Sequence, residues 1–394
     1  MHFSKRTALA VGMLAATAAV LTGCSTSSSG SSDAATTASG GTAVDLSGVC
    51  PANVVIQTDW NPEADHGHVY QLLGSDYTVD ASDKSVSGPL MAGGKETGVN
   101  VEIRAGGPAI GYSSVSSQMY QDKDIMLGYV TTDEAVQNSA KLPTTAVFAE
   151  NDISPLVVMW DPETYPKVDT IKELGTALEK NDGVVRYFSG NAYMDYLTGS
   201  DILPKSVTDG SYDGTPSKFV VAKGKDAQQG FATAEPYIYQ HELSSWNKKV
   251  DYQLIAKTGY PVYPEAMSVR TGDLAKNSAC LKKLVPVLQQ ADVDYITNPA
   301  QTNKLILDLV SQYNNGWVYD EAVADFAVSQ MKKLDIATDG DNGYVGDMSD
   351  ERMQKVIDID TPIFADAGTA VKSGLAPGDL YTNEFLDTSI GFGF

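Results

Sequence analysis

From residue 54 onward, short apolar runs alternate with stretches of helical spacing. The run opening at Val54-Val55-Ile56 is β-rich, as are residues 99–104, 125–130, 144–149 and 154–160, and turn-forming residues bound most of them, which reads as strands. Between them, residues 113–120 and 131–140 read as helices, headed by Ser113-Ser114 and Thr131-Thr132-Asp133, whose side-chain oxygens can accept from the free N–H groups of a first turn. After the first run Pro62 breaks the strand, and Asp65 is placed to cap a helix running through Tyr70 to Leu73. This β-α-β-α-β order predicts a parallel sheet. A second series follows: helix 170–180, strand 184–188, helix 191–197, strand 218–222, helix 225–230, strand 231–234, a helix from Tyr237 and strand 251–258. Residues 273–291 place Leu274, Cys280, Leu281, Leu284, Val285 and Leu288 on one side of a helix, and 303–313, 321–334 and 350–365 are further amphipathic helices.

The chain has 394 residues, 42% of them hydrophobic, enough for two or three domains with a sizeable core. The net charge of −22 argues against nucleic acid or anionic lipid as a partner. Residues 1–23 read as a signal peptide: Lys5 and Arg6, then an Ala/Val/Leu run too short to span a bilayer. Leu21-Thr22-Gly23-Cys24 resembles a bacterial lipobox, in which Cys24 would carry the lipid and become the new N-terminus; the other reading is an ordinary cleaved signal with an incidental Cys. Acyl chains on Cys24 would hold the protein on a membrane surface. Residues 24–48, mostly Ser, Thr, Gly and Ala, read as a flexible tether. Cys50 and Cys280 are then left as an even pair in an oxidising compartment, either bridged or as two buried thiols.

Ligands in open α/β sheets sit at the carboxyl ends of strands. The first strand delivers Trp60 as a stacking face, Asn61 as donor and acceptor, and His66 as a ring that does either, unless Trp60 is core and His66 an exposed loop residue. Ser113, Ser114, Thr131 and Thr132 sit at helix N-termini that would face the same cleft, or serve only as caps. In the second series Ser189-Gly190-Asn191 lies between strand and helix, with Gly190 permitting close backbone approach. Glu235 can accept from an amine or ring N–H and Tyr237 can stack; alternatively Glu235 only caps the helix begun by Pro236. Catalytic signatures are missing. Gly93-Gly94-Lys95-Glu96-Thr97 breaks the phosphate-loop pattern, there is no Gly-x-Ser-x-Gly, and Asp339-Gly340-Asp341-Asn342-Gly343 lacks the Gly and Glu a calcium loop needs. The four histidines give no His-Glu-x-x-His and no ligand cluster supports a metal at His66 and His68, so neither metal nor cofactor is expected.

The stretch Asp59-Trp60-Asn61-Pro62-Glu63-Ala64-Asp65-His66, with Tyr70 beyond, resembles the first strand and loop of bacterial solute-binding proteins for thiamine-type pyrimidines, where Asp-Trp is followed by Thr-Pro-Asn-x-Asn-His and later a Tyr. Asn61 stands in place of the Thr and Asp65 in place of the second Asn. The likeness in layout covers roughly residues 53–390 and extends to nitrate-, sulfonate- and riboflavin-type binding proteins. It implies a two-lobed, type 2 periplasmic-binding-protein-like α/β fold: two mixed or parallel sheets flanked by helices, hinged at two crossings. Lobe 1 would comprise residues 49–155 and, with the C-terminal helices, 263–394; lobe 2 would comprise 156–262. It also implies a monomer that captures a small planar, thiamine-precursor-like ligand and serves an ABC permease on the outer face of the cytoplasmic membrane. Nitrate, alkylsulfonate or riboflavin-like ligands are the alternatives. Thiamine-pyrimidine synthases resemble the family too, but their Cys-rich motif is missing here.

Overall fold

The computed structural model describes residues 44–394; the expected signal peptide, Cys24 as the expected lipid attachment point and most of the expected tether lie outside the described residues. Among the described residues, twelve strands form two sheets. In chain order they are β1 (Asn53–Gln57), β2 (Thr78–Asp80), β3 (Ser85–Ala92), β4 (Lys95–Arg104), β5 (Ile125–Val130), β6 (Thr144–Ala149), β7 (Leu156–Trp160), β8 (Val185–Arg186), β9 (Thr208–Asp209), β10 (Ala227–Phe231), β11 (Asp251–Leu254) and β12 (Ala266–Arg270). The first sheet has the order β2-β3-β4-β1-β5-β12-β6, the second β11-β7-β10-β8-β9. β1 runs parallel to β4 and β5, and β12 inserts antiparallel between β5 and β6. In the second sheet β8 is parallel to β9 and β10, while β7 is antiparallel to β10 and β11. The chain therefore leaves the first sheet through residues 150–155 and returns through 255–265.

Local chemistry accounts for most elements. β5 and β6, covered on both faces, are buried along their whole length. Ser114 and Thr131 accept from backbone N–H groups at the heads of helices Val115–Gln121 and Thr132–Asn138, and Thr170 with Glu173 makes a full capping box on Ile171–Asn181. The long helices Leu274–Thr297, Ala300–Tyr313, Glu321–Lys333 and Asp350–Asp366 follow. None of the described helices is long and apolar enough to cross a membrane.

Some expectations require correction. Residues 218–222 form the helix Ser217–Ala222, not a strand, because only Phe219 is buried and Val221 is fully on the surface, a one-sided burial that a helix provides. The helix expected at 225–230 is instead β10, whose Gln-rich sequence is held by strand neighbours on both sides and by its own side chains: Gln229 Oε1 accepts from Phe188 N and the Tyr193 hydroxyl. Only Phe231 of the strand expected at 231–234 belongs to it. Asp65 does not cap a helix; it lies inside a 3₁₀ turn, Ala64–His66, and its buried carboxylate accepts from Thr233 Oγ1 at 2.6 Å. Gly93 and Gly94, at φ +56° and +74°, are the two-residue turn of the β3–β4 hairpin, which explains a phosphate-loop-like pair without phosphate chemistry.

Two staples bear on the site's frame. Cys50 and Cys280 form a disulfide, tying the chain before β1 to helix Leu274–Thr297. Arg352, on helix Asp350–Asp366, donates to Pro261 O (2.7 Å), Val262 O (2.9 Å), Asp152 Oδ1 (2.6 Å) and Asp152 O, and lies over the Tyr263 ring at 3.5 Å from its centroid. One guanidinium thus binds both crossings.

Candidate functional site

The segments that follow the carboxyl ends of β1, β5, β8 and β10 converge with the two crossings on a cavity of ≈ 290 Å³. It opens into a second recess of ≈ 370 Å³ that shares Asp59, Trp60, Thr131, Asp133, Phe188 and Asn191. The loop after β4 seats the loop after β1: Gly106 N donates to Trp60 O and Gly107 N to Asp59 O, both at 2.8 Å. A Cβ on Gly106 would fall 2.3 Å from Thr58 O, and one on Gly107 2.6 Å from the Trp60 ring, so both positions need glycine for close approach. The Trp60 ring then stands about equally far from Tyr112 (6.0 Å), Trp317 (6.1 Å) and Phe188 (6.2 Å), forming an aromatic wall.

The rest of the lining is rich in acidic side chains. Asp59, Glu63, Asp133, Glu235 and Glu265 border the cavity, and among the described residues neither it nor the second recess, which adds Glu134, is lined by any Lys, Arg or His. Burial, reinforced by neighbouring carboxylates, pushes Glu63 and Glu265 well above the ordinary range. Burial likewise lifts Glu235 and Glu134 to about 7 and Asp65, behind the wall, to about 6. The Tyr260 hydroxyl lies 3.0 Å from Asp133 Oδ2 and 2.9 Å from Asp360 Oδ1. One hydroxyl proton serves only one of them, in keeping with Asp360 being pushed up to about 8, first by burial and then by Asp133.

The expected site residues divide. Trp60, Thr131 and Asn191 border both recesses, Glu235 the first, and Ser113, Ser114, Ser189 and Gly190 the second. Asn191 occupies the cap position of helix Ala192–Gly199 without a side-chain cap bond, and its side chain interacts with the Tyr193 hydroxyl. Ser114 and Thr131 cap their helices, and Glu235 Oε2 accepts from Phe231 N at 2.7 Å. Four others point elsewhere. Tyr70 is buried in the core of the first sheet, where its ring fills apolar volume. Asn61 is buried and accepts from Asn315 Nδ2. Thr132 Oγ1 accepts from Tyr263 N, a tie to the return crossing, and Tyr237 packs on His241 and Phe326. His66 is wholly buried behind the lining, its Nε2 3.0 Å from Asp59 Oδ1 and 3.8 Å from Glu265 Oε1.

Sequence reasoning passed over Asp59, Glu63, Asp133, Phe188, Tyr212, Gln229, Glu265 and Trp317. Glu265 carried a usable signal: a carboxylate inside the apolar run Tyr263-Pro264-Glu265-Ala266-Met267, where the structure holds it at φ +49°.

No family model matches the chain, and no curated protein matches it. Solved structures do. The ligand-binding component of an ABC-type import system from Staphylococcus aureus, with zinc bound, aligns at a TM-score of 0.51 and 10% identity over 84% of this chain and 97% of that one. The periplasmic sulfonate-binding protein SsuA of a sulfonate ABC transporter from Methylobacillus flagellatus aligns at 0.50 and 13% over 84% and 92%. An ABC transporter structure from Parabacteroides distasonis aligns at 0.50 and 8% over 85% and 100%. At these identities the likeness is one of fold: two mixed sheets flanked by helices, the periplasmic-binding-protein arrangement.

Proposed function

We propose that the protein is the extracytoplasmic solute-binding component of an ABC uptake system, held on the membrane by a lipid on Cys24, and that its cleft takes a small planar nitrogen heterocycle presenting hydrogen-bond donors or a positive charge. The observation that carries this reading is the lining itself: five carboxylates, among the described residues no basic side chain, and an aromatic cluster of Trp60, Phe188 and Trp317. Carboxylates accept from ring N–H and ammonium groups, and aromatic faces stack on planar rings or attract cations. Nitrate or an alkylsulfonate would call for basic donors, and the lining offers none. The fold shared with transport-system components supports the transport role, and the acidic net charge is compatible with an exported protein. In this reading residues 49–155 and 263–394 form one lobe and 156–262 the other, and ligand contacts to both favour a closed state.

Native mass spectrometry of the purified mature protein tests the ligand class directly. A carried-over heterocyclic amine is the expected finding, and a carried-over oxyanion would refute it. Anchoring is tested by Cys24→Ala, which should move the protein from the membrane fraction to the medium; unchanged membrane retention would rule out Cys24 as the attachment site.

A further inference from the structure

We propose that Asp59, His66 and Glu265 bind a divalent first-row transition-metal ion at the inner wall of the cleft. The site lies in the cleft assigned above to a solute, but rests on these three side chains and not on that solute's identity.

One donor atom from each residue lies within 4.8 Å of the others, and Nε2 of His66 stands 3.0 Å from Asp59 Oδ1 and 3.8 Å from Glu265 Oε1. Ligands held at bonds of about 2.1 Å are themselves about 3.0–3.4 Å apart, so small side-chain rotations complete the geometry. The second observation is the state of the imidazole. His66 is fully buried, yet among the described residues neither ring nitrogen has a hydrogen-bond partner, and Asp59 Oδ1, though 3.0 Å from Nε2, makes no hydrogen bond either. Buried polar groups are nearly always satisfied, and leaving one orphaned costs about 1–3 kcal/mol. An ion drawing on the imidazole lone pair and two carboxylates satisfies all three at once.

The surroundings suit such an ion. Asn151 Nδ2 donates to Glu265 Oε2 at 2.6 Å, which fixes that carboxylate and leaves Oε1 turned to His66, the kind of outer bond that orients metal ligands. Asp59 and Glu265 border the cavity while His66 reaches in from behind, so the remaining coordination positions face the cleft. Three protein donors with an open side describe an ion that also meets a water or a small molecule. One imidazole and two carboxylates favour zinc, manganese, iron(II) or cobalt over calcium, which prefers oxygen alone, and over copper(I), which prefers thiolates. No sequence spacing announces the site, because Glu265 arrives from the return crossing.

The test uses mature protein stripped with a chelator and titrated calorimetrically with Zn²⁺, with Ca²⁺ as the comparison and Co²⁺ for its visible spectrum. Expected are one Zn²⁺ per chain, weak or no Ca²⁺ binding, and Co²⁺ bands of a low-coordinate N/O site. Asp59→Asn and Glu265→Gln should each weaken Zn²⁺ binding at least tenfold, and His66→Ala should abolish it. Should His66→Ala fail to fold, Asp59→Asn, at a side chain 34% exposed, decides the matter. Absence of stoichiometric Zn²⁺ binding, or binding unchanged in Asp59→Asn, overturns the proposal. So does nitrogen NMR showing His66 protonated on both nitrogens in saturating Zn²⁺, the signature of a plain ion pair with the two carboxylates. Mass spectrometry of the stripped protein separates the two readings: an organic solute retained without metal binding refutes the metal site alone.

Discussion

Glu235 offers a direct measurement of what the acidic cleft costs the ligand-free protein. Burial is the main cause of its elevation from 4.5 to about 7, Asp65 adds to it, and the hydrogen bond from Phe231 N acts in the opposite direction. A carboxyl whose folded pKa is raised keeps its proton longer in the folded state than in the unfolded chain. Its contribution to stability is therefore fully present below about 4.5 and is lost as the pH rises through about 7. At ~1.4 kcal/mol per decade, the loss is at most ~3.5 kcal/mol above pH 7, an upper bound because the side chain borders cleft water. Glu235→Gln removes the charge and keeps an oxygen for Phe231 N–H. Urea unfolding of ligand-free protein, followed by circular dichroism from pH 5 to pH 8, should show the variant equal to or slightly below wild type at pH 5 and ~2–3 kcal/mol more stable relative to it at pH 8. Glu63, Glu265, Asp65 and Asp360 titrate in both proteins, so the quantity to compare is the difference between the two curves. A difference that stays constant across this range would refute the reasoning.

Trp60→Ala should weaken binding of the co-purified solute at least tenfold by calorimetry, since lost stacking alone is worth about 1 kcal/mol and lost burial adds to it; unaltered affinity in a folded variant would remove Trp60 from the site. Gly107→Ala should shift tryptophan fluorescence and weaken the same binding with the fold retained, because a Cβ there meets the Trp60 ring at 2.6 Å and the backbone sits at φ +54°. Replacing both Cys50 and Cys280 by Ala should lower the free energy of unfolding by roughly 2–5 kcal/mol, as a crosslink spanning 230 residues restricts the unfolded chain strongly. Equal urea midpoints for the two proteins would count against that origin of stability.

Much of the architecture is legible in local pattern. The apolar run at 154–160 becomes β7, and Ser114, Thr131 and Thr170 head helices as their chemistry suggests. Local pattern misleads where tertiary contacts dominate: Phe219-Val220-Val221 carries strand propensity but buries one face, while Ala227-Gln228-Gln229-Gly230 carries little and is clasped on both edges. The β2–β3 pairing went unread because Gly88 and Pro89 interrupt its alternation. The cleft is the least legible part. Trp60 stands out by residue type, but Asp59, Asp133, Glu235 and Glu265 come from four different segments. Only the return of β12 between β5 and β6 brings the last of them beside the first, and no periodicity encodes strand order.

Arg352 borders neither recess, yet it has a claim on the cleft's shape. Its guanidinium closes a small arch whose two feet are the outward and return crossings, with Tyr263 as the pad beneath it. The two strips of chain on which any opening of the cleft must turn are thereby made to bend together, like the leaves of a hinge sharing one pin. If the proposed solute-binding role holds, drift at this locus would retune capture and release while every residue lining the cleft stays the same.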